Sequence, residues 1–214
     1  MGVSTCHRYA TTLLELAALE RSAEGRYFPG IRLISLGQAW LDRNSLRKLA
    51  RAELEELCAL AGETVYLGVN SDQGVVYIDK IDPAQPVRLA SRIGSVVPYH
   101  CSAKGKAILA TYSPEQRLPY MTDVRIYTPT TLSGQALEDE IEAIAARRYA
   151  INDQEFEEGV RCVGVAIVGR GGELHGAISV AGPAVRFSRQ DCIDLAPRII
   201  AAADRIGSQM PRYI

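Results

Sequence analysis

The hydrophobic period changes at Thr64, and that change settles most of what this chain can fold into. Up to Ala61 the apolar residues recur at helical spacing: Leu46, Leu49, Ala50, Leu54, Leu57 and Ala61 share one face, and Gly62 supplies a stop. From residue 64 β-branched runs take over. Those at 64–70 and 75–81 flank Ser71-Asp72-Gln73-Gly74, and those at 162–168 and 174–181 flank Gly169-Arg170-Gly171-Gly172. Each pair reads as a hairpin, and 87–91 predicts a further strand. Helices are predicted at 102–112, after the Ser113-Pro114 cap, at 137–148, and from Ser188 to about Gln209 with a kink or break at Pro197. Hairpins with helices gathered beside them make an α+β body with a mostly antiparallel sheet.

Ahead of that body, Tyr9, Leu13, Leu16, Ala17 and Leu19 form an apolar stripe on a helix of about five turns, with Ser4 placed to cap it. Leu19-Glu20-Arg21, a turn at 22–25, and Arg26-Tyr27-Phe28 then suit a two-stranded wing. The order matches the second half of a winged helix-turn-helix, where the helix before the wing enters the major groove. An ordinary amphipathic helix followed by a hairpin reads the same way. Pro29-Gly30 ends the wing, and a helix over 31–42 follows with Leu33, Leu36, Ala39 and Trp40 on one face. Trp40 suits either a dimer contact or the chain's own core. The expected parts are a partial winged helix-turn-helix at 1–30, linker helices at 31–61 and a larger domain at 62–214.

The 214 residues carry a net charge of −1, which neither favours nor excludes nucleic acid. Residues 1–51, however, hold eight Lys and Arg against four acids, so the basic excess lies beside the candidate reading helix. The five cysteines are odd in number and form no CxxC pair, which suits reduced thiols and disfavours structural zinc. No apolar run approaches the roughly 20 residues of a membrane span, so no membrane partner and a cytoplasmic location are expected.

Three stretches are polar beyond the needs of a core. In the first, Pro98-Tyr99-His100-Cys101-Ser102-Ala103-Lys104-Gly105-Lys106, a loop enters a helix. Free N–H groups beside a lysine would cradle a carboxylate or phosphate, and a capped helix with solvated lysines is the alternative. In the second, the amides and acids from Asn152 to Glu158 run into Gly159-Val160-Arg161-Cys162. They suit a pocket mouth, or a solvated edge with Arg161 paired to Glu157 or Glu158. The third is Ser179, a hydroxyl inside an apolar strand that needs a backbone or ligand partner. Catalysis is the poorer reading. Neighbours on an extended segment face opposite ways, so His100 does not activate Cys101, and there is no phosphate loop, GxSxG or dinucleotide fingerprint. No cofactor and no metal are expected; a zinc site from His100, Cys101, Cys162 and Asp153 is the weak rival.

These stretches together resemble the isocitrate-lyase-regulator (IclR) family of bacterial transcription regulators. The resemblance is carried by Ser4-Thr5-Cys6-His7-Arg8 with Gly25-Arg26-Tyr27, by Ser91-Arg92-Ile93-Gly94, and by His100-Cys101-Ser102-Ala103-Lys104-Gly105-Lys106-Ala107. The segment from Asp153 to Cys162, and 178–183 followed by Arg186-Phe187-Ser188, complete it. It implies a winged helix-turn-helix, a dimerising linker helix and a GAF/profilin-like effector domain in a dimer or tetramer. Such a protein would control a catabolic operon, commonly as a repressor, in answer to a small organic acid.

Ser4, Thr5, His7 and Arg8 would then face operator DNA, with Arg26 near phosphate. The effector would meet Leu89, Ser102, Ala103, Lys104, Asn152, Asp153, Val160, Cys162 and Ser179. Asn152 stands where an Asp is common, and Ala181 where some members have a second Ser. Ile78-Asp79-Lys80-Ile81-Asp82 and Ser91-Arg92-Ile93-Gly94 look most like the subgroup governing sugar-acid breakdown, such as 2-keto-3-deoxygluconate use. The family carries two helices ahead of the reading helix that are missing here. The expectation is therefore that this chain binds its operator weakly or not at all; the alternative function is an effector-sensing dimerisation protein without DNA binding. A metal-dependent or thiol hydrolase on the same body is the remaining rival.

Overall fold

The computed structural model describes residues 2–86 and 89–211, and the chain divides into two compact units, Met1–Asn44 and Ser45–Ile214. In the first unit, helix α1 (Val3–Glu15) leads to a hairpin of β1 (Leu19–Arg21) and β2 (Tyr27–Pro29), then to α2 (Arg32–Arg43). The wing strands pair antiparallel, Glu20 opposite Phe28. Helix α1 is shorter than its apolar stripe predicts, at 13 residues, and Ser4 lies inside it. Gly2 occupies the cap position with no side-chain cap bond, because the chain turns helical one residue before Ser4. The stripe ends where Ala17 takes a φ of 54°, which turns Leu19 onto the hairpin. Tyr9, Leu13 and Leu16 are exposed, as are Leu33, Leu36 and Trp40 on α2.

In the second unit α3 (Ser45–Ala61) precedes the hairpin β3 (Thr64–Ser71) and β4 (Gly74–Ile81). The short β5 (Val96–Val97), α4 (Ala103–Leu109), α5 (Pro114–Arg117) and α6 (Gly134–Arg147) follow. Then come β6 (Ala150–Asp153), β7 (Val160–Val168), β8 (Leu174–Pro183) and α7 (Arg189–Gln209), which continues through Pro197. The strands form one antiparallel sheet in the order β5-β4-β3-β8-β7-β6. This is the expected α+β architecture.

Two strands depart from expectation. Of the predicted strand at 87–91, Val87 and Arg88 lie outside the described residues and 89–91 are not extended into the sheet; β5 takes that edge instead. Conversely β6 forms where the polar composition suggests a loop. Pairing with β7, Asn152 opposite Cys162, satisfies its backbone, which a buried segment of this kind requires.

Side-chain alternation divides the sheet into two packed faces. Val163, Val165, Ile167, Ile178 and Val180 lie on the face covered by α3 and α7. The opposite face holds Tyr66, Tyr77, Ala177 and Ala181, in one cluster with Ala107, Ile108 and Leu109 of α4 and Leu137, Ile141 and Ile144 of α6. Two glycines let α4 lie close to its neighbours. A Cβ at Gly164 of β7 would stand 2.8 Å from the Ala103 carbonyl carbon, and one at Gly105 would collide with the Tyr99 backbone.

By helix propensity alone Gly105→Ala should gain about 1 kcal/mol. Here it should instead lose about 1–3 kcal/mol, because backbone cannot retreat as a side chain can. Urea unfolding measures the difference, and a gain would show α4 free to move off Tyr99.

Candidate functional site

Between α4 and the sheet lies a cavity of about 50 Å³, lined by Tyr77, Ser91, Val97, Ser102, Ala103, Lys104, Asn152, Phe156, Glu157, Val160 and Cys162. The register brings these residues together. Asn152 of β6 is opposite Cys162, Cys162 is opposite Ala181, and Ser179 sits between Gly164 and Tyr66. All point to the α4 side, where Gly164 admits the first turn of the helix.

The sequence-predicted residues thus divide. Ser102, Ala103, Lys104, Asn152, Val160 and Cys162 line the cavity. Ser179 stands behind it as the acceptor for Lys104 Nζ at 2.6 Å. Leu89 offers its carbonyl to Lys80 Nζ at 2.8 Å, and Asp153 pairs with Arg161 at 2.7 Å, so neither is brought to the cavity wall. Arg161 therefore takes Asp153 rather than Glu157 or Glu158, since cross-strand neighbours on β6 and β7 are nearer than the loop. Ser91, Val97, Tyr77, Phe156 and Glu157 complete the lining without having been singled out individually. Ser91 and Glu157 do lie in stretches marked from sequence, whereas Tyr77 shows only in the hairpin register.

The lysines of the SAKGK stretch are both buried, not solvated. They lie two apart on α4, and Lys104 reaches β8 while Lys106 reaches β6. Lys106 Nζ donates to Ile151 O at 2.8 Å and to Glu155 Oε1 at 2.5 Å, with Glu140 at 3.8 Å. Burial pushes the Glu155 carboxyl up against the pull of Lys106, and its Oε2 has no hydrogen bond. The Glu155 N–H donates to Asn152 Oδ1 at 2.8 Å, and the Thr131 hydroxyl donates to Glu155 O at 2.6 Å. This network holds the loop that carries Phe156 and Glu157 over the cavity.

Lys104 is different. Its Nζ donates to Ser179 Oγ, and among the described residues no carboxylate lies within ion-pair distance. Its Nζ lies 4.3 Å from the Tyr77 ring centroid and 5.0 Å from that of Tyr66, two rings stacked 4.6 Å apart. Ring faces attract a cation but replace only part of its hydration. Burial accordingly lowers the Lys104 pKa to about 8, opposed by Cys162, whose own thiol burial pushes up to about 11. Helix α4 is only seven residues long, and the Gly105 N–H is already taken by Ser102 Oγ. Attraction for an anion therefore rests on Lys104 more than on free helix donors.

His100 Nε2 contacts Arg125 O at 2.9 Å, and burial pushes the Cys101 thiol up to about 12. Among the described residues no three His, Cys, Asp or Glu side chains cluster as metal ligands. A larger open groove of about 420 Å³, on the α3–α7 side, includes Glu63 and Arg186, which already bond each other at 2.6 Å. Among the described residues no helix is long and apolar enough to cross a membrane.

Residues 38–208 match the family model for the C-terminal domain of the bacterial transcriptional regulator IclR. The HTH-type transcriptional regulator KdgR of Dickeya chrysanthemi is 31% identical over 214 residues, spanning 98% of this chain and 70% of that protein. The Thermotoga maritima IclR structure superposes with a TM-score of 0.75 at 33% identity, covering 97% of this chain and 85% of that one. The C-terminal domain of Escherichia coli KdgR superposes with a TM-score of 0.67 at 29% identity, covering 77% and 98%. The polar stretches, the antiparallel sheet flanked by helices and these matches agree: the chain belongs to the IclR family of bacterial transcriptional regulators.

Proposed function

We propose that this chain is a cytoplasmic regulator that senses a small organic acid in the cavity under α4 and controls a catabolic operon accordingly. The observation that carries this reading is Lys104, a buried cation without a carboxylate partner among the described residues, at the wall of a small polar cavity. Burying a charge unpaired is costly, so its retention suits an anion that arrives from outside. About 50 Å³ holds a few water molecules, which suits a short-chain acid. A six-carbon sugar acid would require the Phe156–Glu157 loop to move.

The domain assignment follows the same reading: 1–30 contact DNA, 31–61 link, and 62–214 sense. On α1, Ser4, His7 and Arg8 are exposed and Thr5 is half-buried, while Arg26 is exposed beside the wing. This supports α1 as the element that reads operator DNA, with Arg26 near phosphate. The exposed Leu33, Leu36 and Trp40 on α2 support packing against a second copy, as a dimer or tetramer.

A thermal-shift screen with pyruvate, glyoxylate, lactate and six-carbon sugar acids tests the sensing role. A saturable rise in Tm with a short acid is expected, by the amount that ligand binding to the native state dictates. No shift with any of these acids would defeat the reading.

A further inference from the structure

We propose that Lys104 Nζ forms a reversible imine with the carbonyl carbon of a 2-oxo acid in the cavity, so that the effector is held covalently as well as by charge. This deepens the sensing role proposed above and rests on it. Three features point the same way. Nζ lies against Ser179 Oγ at 2.6 Å and the Tyr66 and Tyr77 rings, and Lys104 shares the cavity wall with Cys162. Glu157, the one carboxylate lining the cavity, makes no ion pair with it among the described residues. The chain has four lysines, and the others differ: Lys48 is exposed, Lys80 bonds Asp82 at 2.9 Å, and Lys106 bonds Glu155. An amine attacks a carbonyl only when neutral, and desolvation among apolar and ring surfaces is how proteins make a lysine neutral. The lowering to about 8 leaves an appreciable neutral fraction at slightly alkaline pH.

The step balances without an oxidant or reductant. Lys104 releases one proton to solvent, and its nitrogen lone pair then forms the C–N bond while the carbonyl π pair moves to oxygen. A proton passes from nitrogen to that oxygen through water, giving a carbinolamine. The nitrogen lone pair then forms C=N as the hydroxyl leaves as water with a proton taken back from solvent, giving a protonated imine and one water per acid bound. Asn152, whose Oδ1 is committed to the Glu155 N–H, offers its NH₂ to the acid's carboxylate.

The test uses the full chain with pyruvate or glyoxylate, with and without cyanoborohydride, which reduces an iminium to a stable secondary amine. Intact mass followed by peptide mapping should show one adduct on the peptide containing Lys104, dependent on the reductant. The adduct should be absent in Lys104→Arg and with lactate, which has no carbonyl. Circular dichroism and Tm confirm that the variant is folded. A Tm rise with pyruvate but no adduct, or adducts on Lys48 to the same extent, overturns the imine and leaves the sensing role standing. Neither a Tm rise nor an adduct with either oxo acid overturns the imine; if no other acid in the screen raises Tm, the sensing role falls with it.

Discussion

Lys106→Met should destabilise the protein by about 3–5 kcal/mol, the usual cost of removing one partner from a buried ion pair. Lys106 is fully buried and bonds Ile151 O and Glu155 Oε1, and Glu155 has an Oε2 with no hydrogen bond. Without the ammonium, a carboxylate is left in a dry interior. Adding Glu155→Leu to Lys106→Met should recover much of the loss, since an apolar pair of similar volume needs no compensation. The pH dependence has a definite sign. Burial raises the folded pKa of Glu155, so its charge opposes folding above that pKa. The deficit of the single variant should therefore be full at neutral pH and shrink as acid protonates the folded carboxyl. Urea unfolding at several pH values reads this, and a deficit below about 1 kcal/mol would show the pair to be hydrated.

Lys104→Met should act oppositely. A pKa lowered from 10.5 to about 8 corresponds to about 3 kcal/mol against the charged form, at 1.36 kcal/mol per unit. Losing the Ser179 hydrogen bond returns about 1 kcal/mol, so a net gain near 2 kcal/mol is expected at neutral pH. Between pH 8 and 10.5 the unfolded wild-type chain binds more protons than the folded one, so wild-type stability rises through that window. Below pH 8 both states are charged and the cost is constant. The advantage of Lys104→Met should accordingly fade above pH 8, while Tyr66, Tyr77, Cys162 and Glu157 around the site are common to both proteins. A variant less stable than wild type throughout would mean that the ammonium is well solvated where it stands. The expected exchange of stability for response is the usual relation between a strained site and its function.

Both helices ahead of Thr64 and both hairpins after it were legible because period and turn chemistry agreed at each. Ser113 and Ser188 were read correctly as caps, since each has the partner that closes a capping box, Gln116 and Asp191. Ser4 lacked such a partner and was overtaken by Gly2. Strand β6 was hidden by its composition: Ala150 and Asn152 face inward, too few residues to show an alternation. Tyr77 could have been placed, because counting back from the Ser71–Gly74 turn puts it opposite Gly68. Tyr66 could not, since the irregularity at Leu67/Gly68 shifts it to face Lys80. Full burial of both α4 lysines is not legible, because nothing in SAKGK announces that a helix of this kind lies buried between sheet and α6. Their burial depends on Gly105 and Gly164, residues far from obvious as site determinants, which admit the helix to the sheet.

Effector sensing under α4 requires that Lys104 hold the acid. Isothermal titration calorimetry of the full chain with pyruvate, beside folded Lys104→Met, asks this most directly. Saturable binding at one site per chain, lost in Lys104→Met although that variant melts higher, is the predicted result. Equal binding by both proteins, or none by wild type with any short oxo acid, would contradict it.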